Sequence, residues 1–387
     1  MNGYGVYVHL PFCVSRCRYC DFTVNVRSDA EGQDAYYRAL HGEWAREALP
    51  SGPVVSVYFG GGTPSLAPPA VIGRLLEAVG RRALLAADAE ITLEANPGTV
   101  TPETLAGLRA AGVNRLSLGL QAAQDAHLAA MNRRHTFADA VAAMKWARAA
   151  GFDNVSLDAL YGLPAQTAAE WRDTLDALIA LEPEHVSLYQ LQVEPRTWLG
   201  RRVNAGRVRL PDPDAVADMG DVAEACLAAA GYGRYEVSNF ARPGRASRHN
   251  RGYWRQRPYI GLGVGAHSFD AGRRWWNLGS VPEYIRRVRA AVDPEAGGER
   301  LTVADLRAEF LWLGLRETAG VRRQDFVDRY GLTIEEAFAG VVQDLASHGL
   351  LEVDPVRIRL SRRGMDMANR VLAEFLPDLP EKRPALP

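Results

Sequence analysis

Short runs rich in β-branched and aromatic residues alternate along this chain with longer stretches of helical periodicity, and that alternation leaves few folds open. Each run ends in glycine, proline or a polar turn, the pattern of repeated βα units that build a parallel sheet. Six such runs occupy residues 5–10, 54–59, 90–94, 115–118, 154–157 and 185–191, and a further strand-like segment, YEVSNF, begins at Tyr235. Helical stretches lie between them, for example 69–84 and 101–111, the latter with Thr101 placed as N-cap and Pro102 at the first helical position. The expected class is α/β, an incomplete (β/α)6 barrel, since six units fall short of the eight that close a full one.

Around residues 293–300 the sequence shifts to DPEAGGER, which reads as a linker. It divides the chain into a core domain over 1–298 and a small, mainly helical domain over 299–378 that carries the strand pair VDPVRIRLS and is similar to a winged helix. The proline-rich end, 379–387, reads as a disordered tail. With 47% hydrophobic and 24% charged residues, the rest of the 387-residue chain is expected to fold throughout. Lys plus Arg total 45 against 46 Asp plus Glu, so no overall field draws the molecule to nucleic acid. No apolar run approaches the roughly 18 residues of a membrane helix, and MNGYGVYVHLPF lacks the basic-then-apolar layout of a cleaved leader. A cytoplasmic protein is expected. A peripheral contact with a membrane surface, and either a monomer or a dimer, are compatible with this composition.

Of four cysteines, Cys13, Cys17 and Cys20 sit in one short loop and Cys226 stands far away in an apolar, helix-like stretch. That is ligand spacing, not a disulfide framework. Three thiolates at C-x3-C-x2-C can hold three corners of a cubane and leave the fourth iron open to a small chelator. The competing reading is a zinc site completed by His9. Cys226 reads as a buried small hydrophobe.

In parallel α/β folds, ligands lie beyond the carboxyl ends of the strands, and here those ends carry unusual residues. The first strand runs into the cysteine loop, the second into Gly60, Gly61, Gly62, Thr63 and Pro64, and the third ends at Glu94 before Asn96. Next come Gly119 and Gln121, then Asp158 ahead of YGLP, then Gln190 and Gln192. The glycine run lets backbone groups approach a ligand, but without a following Gly-Lys-Ser/Thr it is no phosphate loop.

The loop YVHLPFCVSRCRYCDF, with the pattern that follows it over about the first 270 residues, resembles the radical S-adenosylmethionine superfamily. Within it, the closest likeness is to the branch of oxygen-independent coproporphyrinogen III oxidases and their relatives. The resemblance implies a [4Fe-4S] cluster on Cys13, Cys17 and Cys20, with S-adenosylmethionine chelating the open iron. By the same resemblance, Tyr19 packs near the adenine, and Gly61, Gly62 and Thr63 bind the methionine end. Glu94 then accepts hydrogen bonds from the ribose or the amino group. Tyr7, Gln121, Arg133, Asp158 and Gln192 match positions of further cofactor contacts.

The segment HNRGYW, residues 249–254, resembles the H-N-x-x-Y-W motif of haem chaperones of the HemW type. It implies haem held at His249, with neighbouring aromatics covering the porphyrin. His267, in GLGVGAHSF, reads as structural or as a support behind the ligand contacts. Two departures set the chain apart from the oxidases: Phe22 stands where they carry a further cysteine, and they have a longer extension before the cluster loop. The sequence therefore reads as a haem chaperone that takes haem from a donor and delivers it to acceptor haemoproteins. Oxidative decarboxylation of coproporphyrinogen III is the alternative.

Overall fold

A computed structural model describes residues 3–26 and 28–376 of the protein. Strands β1 (Tyr4–Leu10), β2 (Val54–Gly61), β3 (Leu85–Ala95), β4 (Arg115–Gln121), β5 (Val155–Tyr161) and β6 (His185–Gln190) pair in parallel in chain order. Between them run helices α1 (Ala30–Trp44), α2 (Pro69–Arg82), α3 (Pro102–Ala110), α4 (Asp125–Ala130), α5 (Phe137–Ala149) and α6 (Ala168–Ala180). Thr101 caps α3 as expected, with Pro102 opening it.

Successive side chains of a strand point to opposite faces, so each strand here carries two sets of residues. One set, including Val6, Val8, Val57, Phe59, Leu93, Leu116, Leu118, Val155, Leu157 and Val186, is fully buried against the helices and forms the main core. The alternate set is polar: Tyr58, Thr92, Glu94, Arg115, Ser117, Ser156, Asp158 and Ser187. Register brings these into layers, with Thr92 beside Tyr58 and Arg115, Ser117 beside Glu94 and Ser156, and Asp158 beside Ser187. A hydrophobic mantle therefore encloses a polar lumen.

After β6 come α7 (Trp198–Asn204) and α8 (Pro213–Ala229), then β7 (Gly233–Arg234) and β8 (Asn239–Ala241). The barrel stays open because β6 pairs antiparallel with β8 instead of with β1. The segment expected as one strand from Tyr235 is broken: β8 holds only its end, because the buried Glu236 turns back to accept from Ser238 N at 3.1 Å. Helix α9 (Arg248–Trp254) packs under β1 and β2 and closes the amino-terminal mouth of the barrel. Beyond β1 the sheet continues through β9 (Tyr259–Leu262), β10 (His267–Asp270), β11 (Arg273–Asn277) and β12 (Glu295–Arg300), with α10 (Val281–Arg289) between the last two.

The linker expected at 293–300 is therefore corrected: most of it is β12, paired antiparallel with β11. Its glycines mislead a reading by composition. A Cβ on Gly297 would lie 2.8 Å from the Trp276 ring, so the residue is small because an indole lies across it.

The C-terminal part has its own core around Leu311, Phe326, Leu345, Ile358, Val371 and Phe375. It comprises α11 (Val303–Gly314), β13 (Val321–Arg322), α12 (Arg323–Tyr330), α13 (Ile334–Ala337), α14 (Val341–Ser347), β14 (Leu351–Val353), β15 (Arg357–Leu360), α15 (Arg362–Asp366) and α16 (Ala368–Ala373). Helices beside a small antiparallel sheet, ordered β13-β15-β14, give a layout similar to a winged helix. Glu317, buried, ties this part to the barrel by accepting from Arg251 of α9 and from Arg255 just after it at 2.8–3.3 Å. The tail at 379–387 lies outside the described residues. Among the described residues, no helix is long and apolar enough to cross a membrane.

Candidate functional site

The carboxyl ends of β1 to β6 surround a cavity of about 630 Å³ that descends into the polar lumen. Cys13, Cys17 and Cys20 hang over its mouth as free thiols. Their loop is fixed by backbone bonds: Cys13 N to Asn25 O at 3.1 Å, Asn25 N to Pro11 O at 2.7 Å, and Arg18 N to Met131 O at 3.1 Å. The Arg18 guanidinium also stacks 4.3 Å over Trp198 of α7. Gly62 closes the turn opposite, since a Cβ there would lie 2.6 Å from Pro11 O and 2.8 Å from Phe12 O.

A polar chain links two of the thiols across the rim. Thr63 Oγ1 lies 3.4 Å from Cys13 Sγ and accepts from Asn96 Nδ2 at 3.0 Å. Arg133 donates to Asn96 Oδ1 at 2.5 Å, to Gly119 O at 2.8 Å and to Cys17 Sγ at 3.5 Å. Burial pushes the Cys13 and Cys20 thiols up, so unligated they stay protonated at neutral pH. A cationic Arg133 beside Cys17 suits sulfurs that become thiolates on binding iron.

The donor set fits a cubane better than a single ion. Among the described residues, no three His, Cys, Asp or Glu side chains converge closely enough for one metal ion. His9, the fourth ligand of the zinc reading, is engaged elsewhere: Nδ1 with Tyr7 Oη at 3.0 Å and Nε2 with Thr23 O at 2.8 Å. A cubane asks instead for three thiolates spread over three irons around one opening.

Below the cysteines, Glu94 is held at both oxygens, accepting from Tyr58 Oη at 2.8 Å and Gly61 N at 3.1 Å. Burial pushes its carboxyl up to about 7. Asp158 accepts from Ser117 at 2.9 Å and Ser156 at 3.1 Å, and burial raises its carboxyl as well. Gln121, at the end of β4, takes a φ of +71°, a conformation uncommon without glycine and frequent where a side chain must be aimed. Tyr19, Gly61, Gly62, Thr63, Glu94, Gln121, Arg133, Asp158 and Gln192 all line this one cavity.

Two expected residues do not. Tyr7 bonds to His9 and stacks on Tyr58, and of these Tyr58 lines the cavity. His249 lies in α9 at the opposite mouth, with Nδ1 bonded to Ser56 Oγ and Nε2 to Tyr253 Oη, each at 2.9 Å. Its ring stacks on Tyr58 at 5.0 Å, and burial drives its pKa down to about 3. The space beside it measures about 10 Å³, enough for a single water at most. Both ring nitrogens of His249 are thus engaged by hydroxyls, and ligation of haem iron by this imidazole would replace one of those two bonds. His267 is exposed and rests on Trp276, and Cys226 packs at the edge of the main core.

Several cavity residues were not anticipated: Tyr58, Arg115, Ser117, Ser187, Tyr189 and Asn250. Most lie one or two turns of the pleat below the rim, and Asn250 rises from α9 to form the floor.

Comparison with known proteins adds the relationships of this geometry. Residues 7–178 match the model of the radical SAM superfamily, and residues 301–367 that of the HemN C-terminal domain. Heme chaperone HemW of Bacillus subtilis is 35% identical over 96% of this chain and 99% of that protein. The chain belongs to the HemW family of radical SAM proteins. The family extends beyond bacteria: the mouse radical S-adenosyl methionine domain-containing protein 1, mitochondrial, is 37% identical over 99% of this chain and 90% of its own. Among solved structures, coproporphyrinogen III oxidase (HemN) from Escherichia coli, a radical SAM enzyme, superposes with a TM-score of 0.84 at 26% identity. That match covers 97% of this chain and 90% of the oxidase.

Proposed function

We propose that this protein carries a [4Fe-4S] cluster on Cys13, Cys17 and Cys20, holds S-adenosylmethionine in the adjoining cavity, and delivers haem to apo-haemoproteins. The observation that carries the reading is the match to heme chaperones over nearly the whole chain, including the C-terminal part. Such a cluster, when bound, supplies an electron and an open iron site to the cofactor. The chain's own residues do the holding. Gly61, Gly62 and Thr63 receive the methionine end, Glu94 the amino or ribose group, and Tyr19 the adenine. Gln121, Arg133, Asp158 and Gln192 supply the remaining polar contacts, and Tyr7 supports them from beneath. The proposed setting is the cytoplasm, with a haem donor and an acceptor haemoprotein as partners and no nucleic acid.

The oxidase reading is favoured by the superposition on HemN. Phe22, 67% exposed where those enzymes carry a further cysteine, weighs against it. A side-by-side assay on reconstituted protein decides. Haem transfer to an apo-haemoprotein without consumption of coproporphyrinogen III is the expected result, and turnover to protoporphyrinogen without transfer would reverse the reading.

Glu94 gives this site a pH signature. Its folded carboxyl titrates at about 7, and the cationic cofactor prefers the ionised form. Affinity for S-adenosylmethionine is therefore expected to rise about tenfold from about pH 6 to about pH 8, with the gain lost below the carboxyl's own titration. Calorimetric titration at several pH values checks this, with Glu94→Gln expected to bind more weakly and with a flat profile.

A further inference from the structure

A second cavity, of about 800 Å³, lies beyond the edge of β6, within the range of about 300–1,000 Å³ that organic ligands occupy. Leu188, Val216 and Phe240 line it from the barrel side. Met365, within α15, and Met367, at the break between α15 and α16, line it from the C-terminal part. These apolar groups alternate with nearly as much polar surface, a mixture that suits a broad polarisable ligand carrying ionised substituents. The groove is also continuous with the cofactor cavity, for Tyr189, Gln190 and Gln192 at the end of β6 line both.

Of the cations that line this groove, Arg234, Arg316 and Arg370, Arg316 carries an unpartnered donor. Arg316 has a buried Nε without a hydrogen-bond partner, and its guanidinium is clamped between Trp254 at 5.6 Å and Trp312 at 5.4 Å. The carboxylate it feels, Glu236, accepts from Ser238 N. The acids on the rim are occupied as well: Asp221 and Glu224 pair with Arg362, and Asp366 lies in that cation's field. Trp254 is the last residue of the HNRGYW segment, so the motif borders this groove indirectly, through the Arg316 that its tryptophan supports.

We propose that the groove is the haem site, with the macrocycle between α8 and the α15–α16 break and a propionate on Arg316. The proposal rests on the chaperone reading above and places the macrocycle apart from His249. Full-length, cluster-reconstituted protein is titrated with haem and followed by its Soret absorption, with iron loading and S-adenosylmethionine binding as reports on folding. Arg316→Ala is expected to weaken haem uptake about tenfold, by loss of a charge-assisted contact. Ala217→Trp, exposed on α8 and on the groove wall, is expected to abolish uptake by filling the space. If the unaltered protein takes up no haem, the chaperone reading itself fails. If it binds haem and both groove variants bind equally well, or if loss is confined to His249→Gln, the groove assignment is overturned. Normal uptake with slowed transfer in the groove variants also overturns it, in favour of a docking surface for the acceptor.

Discussion

Replacing any one of Cys13, Cys17 and Cys20 with alanine is expected to reduce the iron and sulfide retained after anaerobic reconstitution to background, while the fold stands. Each thiol would hold a different iron, so none can substitute for another. The fold is independent of them because the loop is attached by other means: the backbone bonds of Cys13 and Asn25, and Arg18 with its bond to Met131 and its stack on Trp198. All three side chains are only partly buried and outside the main core, so thermal unfolding of the iron-free variants is expected to stay within about 1 kcal/mol of the iron-free parent. Cys226→Ala, on the outer helix α8, is the control and should load iron normally. Iron retention equal to the parent in a triple replacement would sink the assignment, and so would one zinc per chain in the parent protein.

Arg115→Met is expected to cost about 3–5 kcal/mol in stability, the largest loss from a single polar replacement in the barrel. The side chain is 2% exposed, lies in the lumen between Glu90 and Asp158, and offsets the charge of both, although its Nε finds no hydrogen-bond partner. Methionine fills similar space without the charge, so the Asp158 carboxylate on the lumen wall loses its compensating cation, while Glu90 keeps its bonds from Ser247 and from the backbone of Arg248 and His249. The loss has a pH dependence of definite sign. Burial already raises Asp158, and without Arg115 it rises further, so the penalty is fully felt above that value and shrinks as falling pH protonates the carboxyl. Urea unfolding at neutral and mildly acidic pH measures both terms. A loss under about 1 kcal/mol, or one that grows on acidification, would contradict this account.

These two sites also mark where the sequence could be read and where it could not. The cysteine loop, the glycine turn at Gly61 and Gly62, Glu94, Gln121 and Asp158 were legible because they interrupt apolar runs at strand ends, where βα folds place ligands. Arg115, Tyr58 and Ser187 were not, because the cavity descends below the rim and an isolated polar residue within a strand looks like a solvent-facing position until the sheet curls around it. His249 is a different case. Its motif marked an important segment, but which of six side chains meets a ligand depends on how α9 seats under β1 and β2, a long-range matter. The strand at β12 was taken for a linker because glycines that make room for indoles have the same composition as glycines that confer looseness.

The lumen has one more consequence, for how the chain finds its structure. With valines and leucines at every second position and serines, acids and an arginine between them, sliding any central strand by a single residue would thrust a greasy stripe into the wet channel and drive charges under the helices. Parallel ladders by themselves discriminate poorly between neighbouring alignments. Here the error is punished on both faces at once, so the polar groups assembled for ligands also act as a ratchet against slippage during assembly.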